Sequence, residues 1–202
     1  MVDRGEPAPA RPRVSLDKKT VASFTSHSFF NLSGDLGAEI LDHVVTVNAD
    51  HFLPVDEHMI PTGEIAPVSG TVMDFREPKA FWADLGADDE QLIRANGYDH
   101  HFVVNQTSAG EMTFQARVED PNSGRSIEVW STEPGLQLVT GNVLSGAIPR
   151  DLGKGGTIYN FRTAFYLEPS RFPDSPNKPA FPSTVLEPGQ IYTGRILYRF
   201  GA

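Results

Sequence analysis

The 202 residues are enough for one domain with a substantial core, and a content of 39% hydrophobic and 21% charged residues is typical of a folded, soluble protein. A formal charge of −9 disfavours nucleic acid as a partner, and the lack of cysteine excludes disulfides and thiolate metal sites. The longest apolar runs are far shorter than the roughly 20 residues of a membrane helix, so we expect no membrane partner either.

The first thirteen residues, MVDRGEPAPARPR, combine proline and charge with almost no large apolar side chains. This composition predicts a disordered lead-in at residues 1–13, followed by one domain at residues 14–202. The same stretch has no apolar h-region of the kind found in secretory signals, which favours a cytoplasmic protein.

The chain carries 18 Gly and 16 Pro across its whole length, which divide its apolar pattern into short pieces and favour strands over long helices. Strands are predicted in DHVVTVNADHFLPVD, DHHFVVNQ, LQLVTGN, TAFYLEP and YTGRILYRF. One short helix is predicted at ADDEQLIRANG, capped by Asp88 or Asp89 and closed by Gly97. Its buried side would carry Leu92 and Ile93.

The clearest hairpin prediction is EMTFQARVED-PNSG-RSIEVWST. Phe114, Ala116 and Val118 alternate with polar residues in the first arm. Ile127 and Val129 alternate in the second arm, and the PNSG segment supplies the turn. Together with the other strands, this hairpin predicts an all-β fold, namely an antiparallel β-sandwich or a barrel-like domain.

His27, in TSHSFFNLSG, is the first candidate for chemistry. In an extended segment its side chain would share a face with Thr25 and Phe29. A histidine in such a position is more often structural or exposed than catalytic. The neighbouring serines and asparagine could nevertheless fix one imidazole tautomer for proton transfer, so both interpretations stay open.

The segment GYDHHFVV holds Asp99, His100 and His101 in consecutive positions. Because side chains alternate faces along a strand, Asp99 and His101 could share a site that His100 cannot reach. A metal site would need further histidines from elsewhere, and the sequence contains neither the HExxH nor the His-x-His spacing. We therefore predict no metal.

Glu168 ends an apolar strand just before a proline-rich loop, a common position for a catalytic side chain. Tyr166 and Phe172 nearby would partly desolvate its carboxylate and raise its pKa toward that of a useful general base. The alternative is a structural carboxylate at the strand end, paired with Arg171 or Arg162.

Six segments in chain order resemble the aldose 1-epimerase (galactose mutarotase) family. They are SHSFFNLSG, DHVVTVNADHFLPVDEHMIPTGEIAPVSGTVMDFR, GYDHHFVV, DPNSGRSIEVWSTEPGLQLVTGN, FYLEPSRFPDSPNKPAFPSTVLEPGQIY and the closing YRF. The resemblance runs from about Val14 to the C-terminus. It implies a galactose mutarotase-like super-sandwich that binds a small-molecule aldose. It also implies interconversion of the α and β anomers of aldohexoses such as galactose and glucose, without a cofactor.

The resemblance also implies a role for each matching residue. His27 in SHSFFNL would protonate the sugar ring oxygen, and Glu168 in FYLEP would remove the proton from the anomeric hydroxyl. Asp99 in GYDHHF and Gln137 in PGLQLVTGN would bind sugar hydroxyls, and His27 would also contact the sugar. His101 has no role in this scheme.

The chain departs from the family pattern in two places. Ser26 stands where the family usually has Asn, and the Asn-Arg pair and the Asn-His-x-His-Gly-Gly motif are absent. The sequence thus matches the C-terminal portion of the pattern, and we expect a sandwich whose N-terminal strands are missing. Exposed strand edges would then favour a homodimer or a complementing N-terminal fragment. The alternative function is a non-catalytic carbohydrate-binding or remnant domain.

Overall fold

The computed structural model describes residues 13–202, which form fourteen strands, one α-helix and three short 3₁₀ helices. The α-helix is α1 (Glu90–Ala95), and the 3₁₀ helices are Phe81–Asp84, Lys154–Gly156 and Ser175–Asn177. The strands are β1 (Arg13–Ser15), β2 (Thr20–Val21), β3 (Val44–Val47), β4 (Ala49–Leu53), β5 (Ala66–Pro67), β6 (Lys79–Ala80), β7 (Asp99–Val104), β8 (Thr113–Glu119), β9 (Ser126–Ser131), β10 (Gly135–Val139), β11 (Tyr166–Ser170), β12 (Val185–Leu186), β13 (Ile191–Thr193) and β14 (Ile196–Gly201).

The strands build two five-stranded antiparallel sheets. The first sheet has the order β14-β9-β8-β3-β6, and the second has the order β11-β10-β7-β4-β5. Two small ribbons, β1-β13 and β2-β12, complete the described residues. The prediction of an all-β antiparallel fold is therefore confirmed.

The core lies between the two sheets, because each strand turns its apolar alternate residues inward. The first sheet contributes Val45, Val47, Ala116, Val118, Ile127 and Val129, and the second contributes Phe52, Phe102, Val104, Leu136, Leu138 and Leu167. The outer face of the second sheet is left free to carry polar side chains.

The predicted hairpin is confirmed as β8 and β9, with one correction. The register shifts between Phe114 and Ala116, so that Phe114 pairs with Trp130 while Ala116 pairs with Val129. The predicted alternation is therefore interrupted between Phe114 and Ala116, because a bulge at Gln115 inserts an extra residue into β8. Phe114 packs edge-on against Trp130, with ring centroids 5.4 Å apart.

The predicted helix is also confirmed, as α1. Asp89 caps it by accepting hydrogen bonds from the backbone N–H groups of residues 91 and 92. Its buried side carries Leu92 and Ala95, whereas the side chain of Ile93 is 64% exposed. The prediction for Ile93 is wrong because residues three apart, rather than adjacent ones, share a helix face.

The residue that caps the C-terminus of α1 is Asn96, which adopts the left-handed conformation at φ 53°, one position before the predicted Gly97. Gln91 attaches the helix to the loop after β4: its side-chain oxygen accepts from Val55 N (2.8 Å), and its amide nitrogen donates to Val55 O (3.0 Å). No helix between residues 13 and 202 has the length and apolar character needed to cross a bilayer.

The expected disordered lead-in lies outside the described residues, apart from its last position. Arg13 begins β1 and pairs with Thr193 of β13.

Candidate active site

A row of side chains crosses the outer face of the second sheet. Gln137 of β10 pairs with Glu168 of β11 on one side and with His101 of β7 on the other. Leu53 of β4 pairs with His101 and extends the row. Asp99 lies two residues before His101, so it points to the same face. The pairing thus brings together three of the predicted site residues from three strands.

His27 reaches this row on a segment that runs beside β11. Phe30 and Phe165 exchange both backbone hydrogen bonds, at 2.8 and 3.0 Å, in an antiparallel bridge. Continuing that register by three residues places position 27 opposite position 168. His27 Nε2 accordingly lies 3.4 Å from Glu168 Oε1.

Aromatic rings, rather than the neighbouring serines, orient the His27 imidazole. Its ring centroid lies 4.4 Å from that of Tyr166 and 5.1 Å from that of Phe29. Ser26 and Ser28 instead share a hydrogen bond of 3.2 Å with each other. The sequence-based idea that polar neighbours fix this histidine is therefore wrong in its detail, although the predicted common face of His27 and Phe29 is found.

Asn31 also serves the backbone and not the imidazole. Its side-chain amide donates to the carbonyl oxygens of Asp35, Ala38 and Thr163, at 2.8 to 3.1 Å. These bonds hold the turn that follows the His27 segment in place.

Glu168 is mostly buried, with 13% of its side chain exposed, whereas the His27 side chain is 56% exposed. Burial raises the pKa of Glu168, and the nearby negative charge of Asp99 raises it further. The positive charge available on His27 acts in the opposite direction. The carboxylate of Glu168 thus lies in the cleft with the more exposed imidazole of His27 beside it.

The alternative partners considered for Glu168 are occupied elsewhere. Arg171 lies toward Glu133, with 3.8 Å between Nε and Oε2, and Arg162 donates to the carbonyl of Asn96 at 3.2 Å. Among residues 13–202, the ion-pair partner of Glu168 is His27. This arrangement fits an acid–base pair better than a structural carboxylate at a strand end.

Asp99 belongs to a short chain of hydrogen bonds. Gln137 Nε2 donates to Asp99 Oδ1 at 2.6 Å, and Gln137 Oε1 lies 3.2 Å from His101 Nδ1. Burial raises the pKa of Asp99, whereas the hydrogen bond from Gln137 and the charge of His27 oppose that rise. Asp99 and Gln137 thus meet beside His27 and Glu168.

The two neighbouring histidines of β7 face opposite ways. His100 points into the core, where its Nδ1 accepts from the backbone N–H of Asp99 at 3.2 Å. Burial lowers the pKa of His100 and of His101 to about 4 in each case, so both imidazoles are neutral at pH 7.

Asp99, His101, Gln137 and Glu168 line an open cleft of about 300 Å³, near the lower end of the range of small-molecule sites. Its floor is polar, and Met59 and Pro61 from the loop after β4 form one wall. That loop is held by Gln91 of α1 through Val55, so the helix shapes the cleft from a distance.

A larger hollow of about 860 Å³ lies elsewhere and includes the buried Glu133. The carboxylate of Glu133 already accepts a hydrogen bond of 2.6 Å from the Tyr192 hydroxyl. Glu168, Asp99 and Gln137 line the smaller cleft, and His27 lies beside Glu168, so we take this cleft as the candidate active site. Between residues 13 and 202, no three His, Asp or Glu side chains gather in the manner of metal ligands.

Tyr166 lines the cleft but was not assigned to it from the sequence, whereas His101 was predicted to be able to share a site with Asp99 but was given no role. The sequence carries a signal for both residues, because side chains two positions apart on a strand share a face. Tyr166 shares one with Glu168, and His101 shares one with Asp99. What the sequence does not contain is the cross-strand register that places His101 next to Gln137.

The fold and the site define an antiparallel β-sandwich with a histidine–carboxylate pair in an open polar cleft. The family model described as aldose 1-epimerase matches residues 11–199. The chain is 42% identical to galactose mutarotase of Homo sapiens over 188 residues, which are 93% of this chain and 52% of that protein. It is 34% identical to aldose 1-epimerase of Escherichia coli (strain K12) over 190 residues, 93% of this chain and 53% of that protein.

Solved structures agree. The GalM/aldose epimerase homologue from C. elegans superposes with a TM-score of 0.80 at 27% identity, over 95% of this chain and 55% of that chain. The galactose 1-epimerase from Lactobacillus acidophilus NCFM gives a TM-score of 0.74 at 26% identity, over 95% and 52%. The chain belongs to the aldose 1-epimerase family, as the motifs predicted, and it spans about half the length of the relatives it matches.

Proposed function

We propose that this protein interconverts the α and β anomers of aldohexoses such as galactose and glucose, with His27 as the acid and Glu168 as the base. The observation that carries the proposal is the 3.4 Å approach of His27 Nε2 to Glu168 Oε1, beside Asp99 and Gln137. The names of the relatives, galactose mutarotase and aldose 1-epimerase, support the same reaction.

The chemistry needs an acid and a base close together. The ring oxygen and the anomeric hydroxyl are bound to the same carbon, so one group must reach each oxygen from neighbouring positions. An aldose with C1 between His27 and Glu168 would replace their direct contact with one hydrogen bond to each. Such positioning is a large part of the rate that acid–base catalysis can supply.

Ring opening follows from this placement. Protonated His27 gives its proton to the ring oxygen, Glu168 takes the proton from the anomeric hydroxyl, and the bond between C1 and the ring oxygen breaks to leave an open-chain aldehyde. The aldehyde turns about the C1–C2 bond. Reclosure on the other face reverses both transfers, so each group returns to its starting state without a cofactor.

The environment of each group supports its assigned role. The raised pKa of Glu168 makes it a stronger base than an exposed glutamate once it is ionised. Asp99 accepts hydrogen bonds, and Gln137 lies beside it, so both can hold sugar hydroxyls. His27, at the mouth of the cleft, contacts the sugar as well as protonating it.

Polarimetry on freshly dissolved α-glucose and α-galactose tests the proposal. We expect His27→Gln and Glu168→Gln each to lower the catalysed rate by about 10²- to 10⁴-fold, which is what one positioned proton-transfer group contributes. His51→Gln and Glu57→Gln change the same residue types at exposed positions and serve as controls.

A wild-type rate equal to the spontaneous background would contradict the enzymatic proposal. If calorimetry still detected sugar binding, the result would support the non-catalytic carbohydrate-binding domain instead. Absence of both catalysis and sugar binding would contradict the enzymatic and the carbohydrate-binding function alike.

We also propose that a second polypeptide, either another copy or a complementing N-terminal fragment, covers one edge of the sandwich. Within the described part of the chain, β14 pairs with β9 on one side only, and Phe200 at its end is 67% exposed and lies 6.0 Å from Phe30, measured between ring centroids. Exposed strand edges with large apolar side chains favour strand addition. Sedimentation of the purified chain tests this, and a monomer with full activity would contradict it.

The cytoplasmic location expected from the sequence stays a prediction. Fractionation of the source cells, followed by immunodetection, tests it.

A further inference from the structure

We propose that His101 is a positioning residue that acts through Gln137 to set the orientation of the Asp99 carboxylate in the cleft. The proposal rests on the function proposed above in one respect only, namely that Asp99 is the group that holds the sugar.

The direction of the hydrogen bonds is fixed from the carboxylate end. An ionised carboxylate only accepts, so the nitrogen of the Gln137 amide must be the atom 2.6 Å from Asp99 Oδ1. The amide oxygen of Gln137 then faces His101 Nδ1 at 3.2 Å. Since that oxygen can only accept, Nδ1 must carry the hydrogen.

The tautomer of His101 follows from this direction. A neutral imidazole has one N–H, and burial keeps His101 neutral, with its pKa lowered to about 4. With the hydrogen on Nδ1, Nε2 bears a lone pair. Nε2 is buried and has no hydrogen-bond partner among residues 13–202.

Gly135 provides the space that this orientation needs. A Cβ added at Gly135 would lie 2.0 Å from His101 Nε2, far inside van der Waals contact. Gly135 belongs to β10, and its backbone does not adopt a positive φ, so the lack of a side chain is needed for space and not for a turn. Phe172 packs edge-on against the ring at 5.4 Å. The imidazole is thus held with only its Nδ1 edge toward a polar group.

Loss of the Nδ1 hydrogen would release the amide of Gln137. With no donor at position 101, the amide can rotate and present its oxygen to the Asp99 carboxylate, and two acceptors repel. Asp99 would then lose the hydrogen bond that favours its ionised form. The other groups facing Asp99 are His27, Glu168 and Tyr166, and none of them replaces that donor.

The first experiment measures the pKa of Asp99 directly, in the protein without sugar, by NMR titration of its ¹³C-labelled carboxyl group. We expect His101→Leu to raise the pKa of Asp99, because the amide is no longer held. His101→Asn offers an amide N–H near the place of Nδ1, and we expect it to restore a value close to that of the wild type. His43→Leu removes another buried imidazole, one that accepts from the backbone N–H of Leu32 and does not contact Asp99, and is the control for general destabilisation.

A long-range ¹H–¹⁵N correlation spectrum of the wild type tests the tautomer without any substitution. A hydrogen on Nε2 of His101 would overturn the proposal, whether or not the variants fold. An Asp99 pKa that is the same in the wild type, in His101→Leu and in His101→Asn would overturn it as well.

Gly135→Ala gives a second route to the same effect. We expect it to displace the imidazole and to raise the pKa of Asp99 in the wild-type background. In the His101→Asn background the shorter side chain leaves room, so the same substitution should have a smaller effect. Equal effects in both backgrounds would show that Gly135 acts independently of His101 and would contradict the proposed link.

Kinetics connect the inference to the proposed function. We expect His101→Leu to raise KM for galactose by roughly tenfold, the value of about one hydrogen bond, with a smaller change in kcat, and His101→Asn to recover most of that loss. Since the titration and the tautomer are measured without sugar, an inactive wild type would contradict the proposed function and leave the positioning result intact.

Discussion

His100 and His101 are both buried, but their side chains lie on opposite faces of β7. One packs in the core, and the other faces the cleft, because β7 turns successive side chains to opposite faces. The sequence predicts that Asp99 and His101 share a face. It does not predict the link to Gln137, because that contact depends on a pairing between residues 36 positions apart.

The pH dependence of the proposed reaction follows from the surroundings of Glu168. The base must be ionised, so kcat/KM should fall as the pH drops through the pKa of Glu168, which burial and Asp99 hold above its usual 4.5. Asp99→Asn removes one source of that rise, so the acid limb should move to lower pH while sugar binding weakens. The pH profile of kcat/KM measures both effects, and an acid limb that does not move would contradict the coupling.

At the scale of elements, the segment that carries His27 shows the limit of local patterns. Its alternation predicts the common face of His27 and Phe29, which the structure contains. No local pattern predicts that the segment lies along β11, because the bridge between Phe30 and Phe165 joins parts of the chain that are far apart. The acid–base pair was inferred from family motifs, and its geometry follows from this bridge.

The hairpin and the helix likewise show that local features are predictable from sequence whereas features set by distant contacts are not. Their existence was predictable from alternation, turn residues and a capping aspartate, all of which are local. The bulge at Gln115 was not, because the residue satisfies a distant group: its side-chain amide donates to the backbone carbonyl of Glu133 at 2.8 Å. Local sequence therefore predicts elements better than it predicts their irregularities.

Helix α1 should affect the cleft although none of its residues lines it. Gln91→Leu removes both hydrogen bonds to Val55, which precedes the loop carrying Met59 and Pro61. We expect a loss of stability of about 1–3 kcal/mol, because the buried N–H of Val55 is left without its partner, while Val55 O still accepts from Arg94; we also expect an increase in KM.

Urea unfolding and steady-state kinetics measure the two effects of Gln91→Leu. Ile93→Ala, on the exposed side of the same helix, is the matched control and should change neither. A normal KM in Gln91→Leu would mean that the loop keeps its shape without the helix.

At the scale of the whole molecule, the cleft and the core lie on opposite faces of the second sheet. The inner faces hold apolar side chains, whereas the outer face of the second sheet holds the cleft. This separation allows polar groups to be desolvated by their neighbours without being buried in the core itself.

The buried histidines should make the fold sensitive to acid. The pKa of His100 is lowered to about 4, against an ordinary value of 6.5, so the unfolded chain takes up a proton first as the pH falls. The stability from this group is fully present above pH 6.5 and declines toward pH 4, by on the order of 2 kcal/mol between pH 7 and pH 5.

Buried carboxylates such as Glu168 and Asp99, whose pKa values are raised, act in the opposite direction, so the test compares two proteins and not one. Between pH 7 and pH 5 the urea midpoint should fall further in the wild type than in His100→Asn, since the carboxylates are common to both. Equal falls would show that His100 does not contribute.

The pairing of β7, β10 and β11 has a consequence for how this chain can change its length. Asp99, Gln137 and Glu168 are each next in sequence to an apolar residue of the core. Deletion of one residue within any of these strands would therefore turn a polar cleft side chain into the core and an apolar side chain toward solvent. Insertions and deletions are therefore expected in the connecting loops, where they can change the width of the cleft without changing the arrangement of the side chains on its floor.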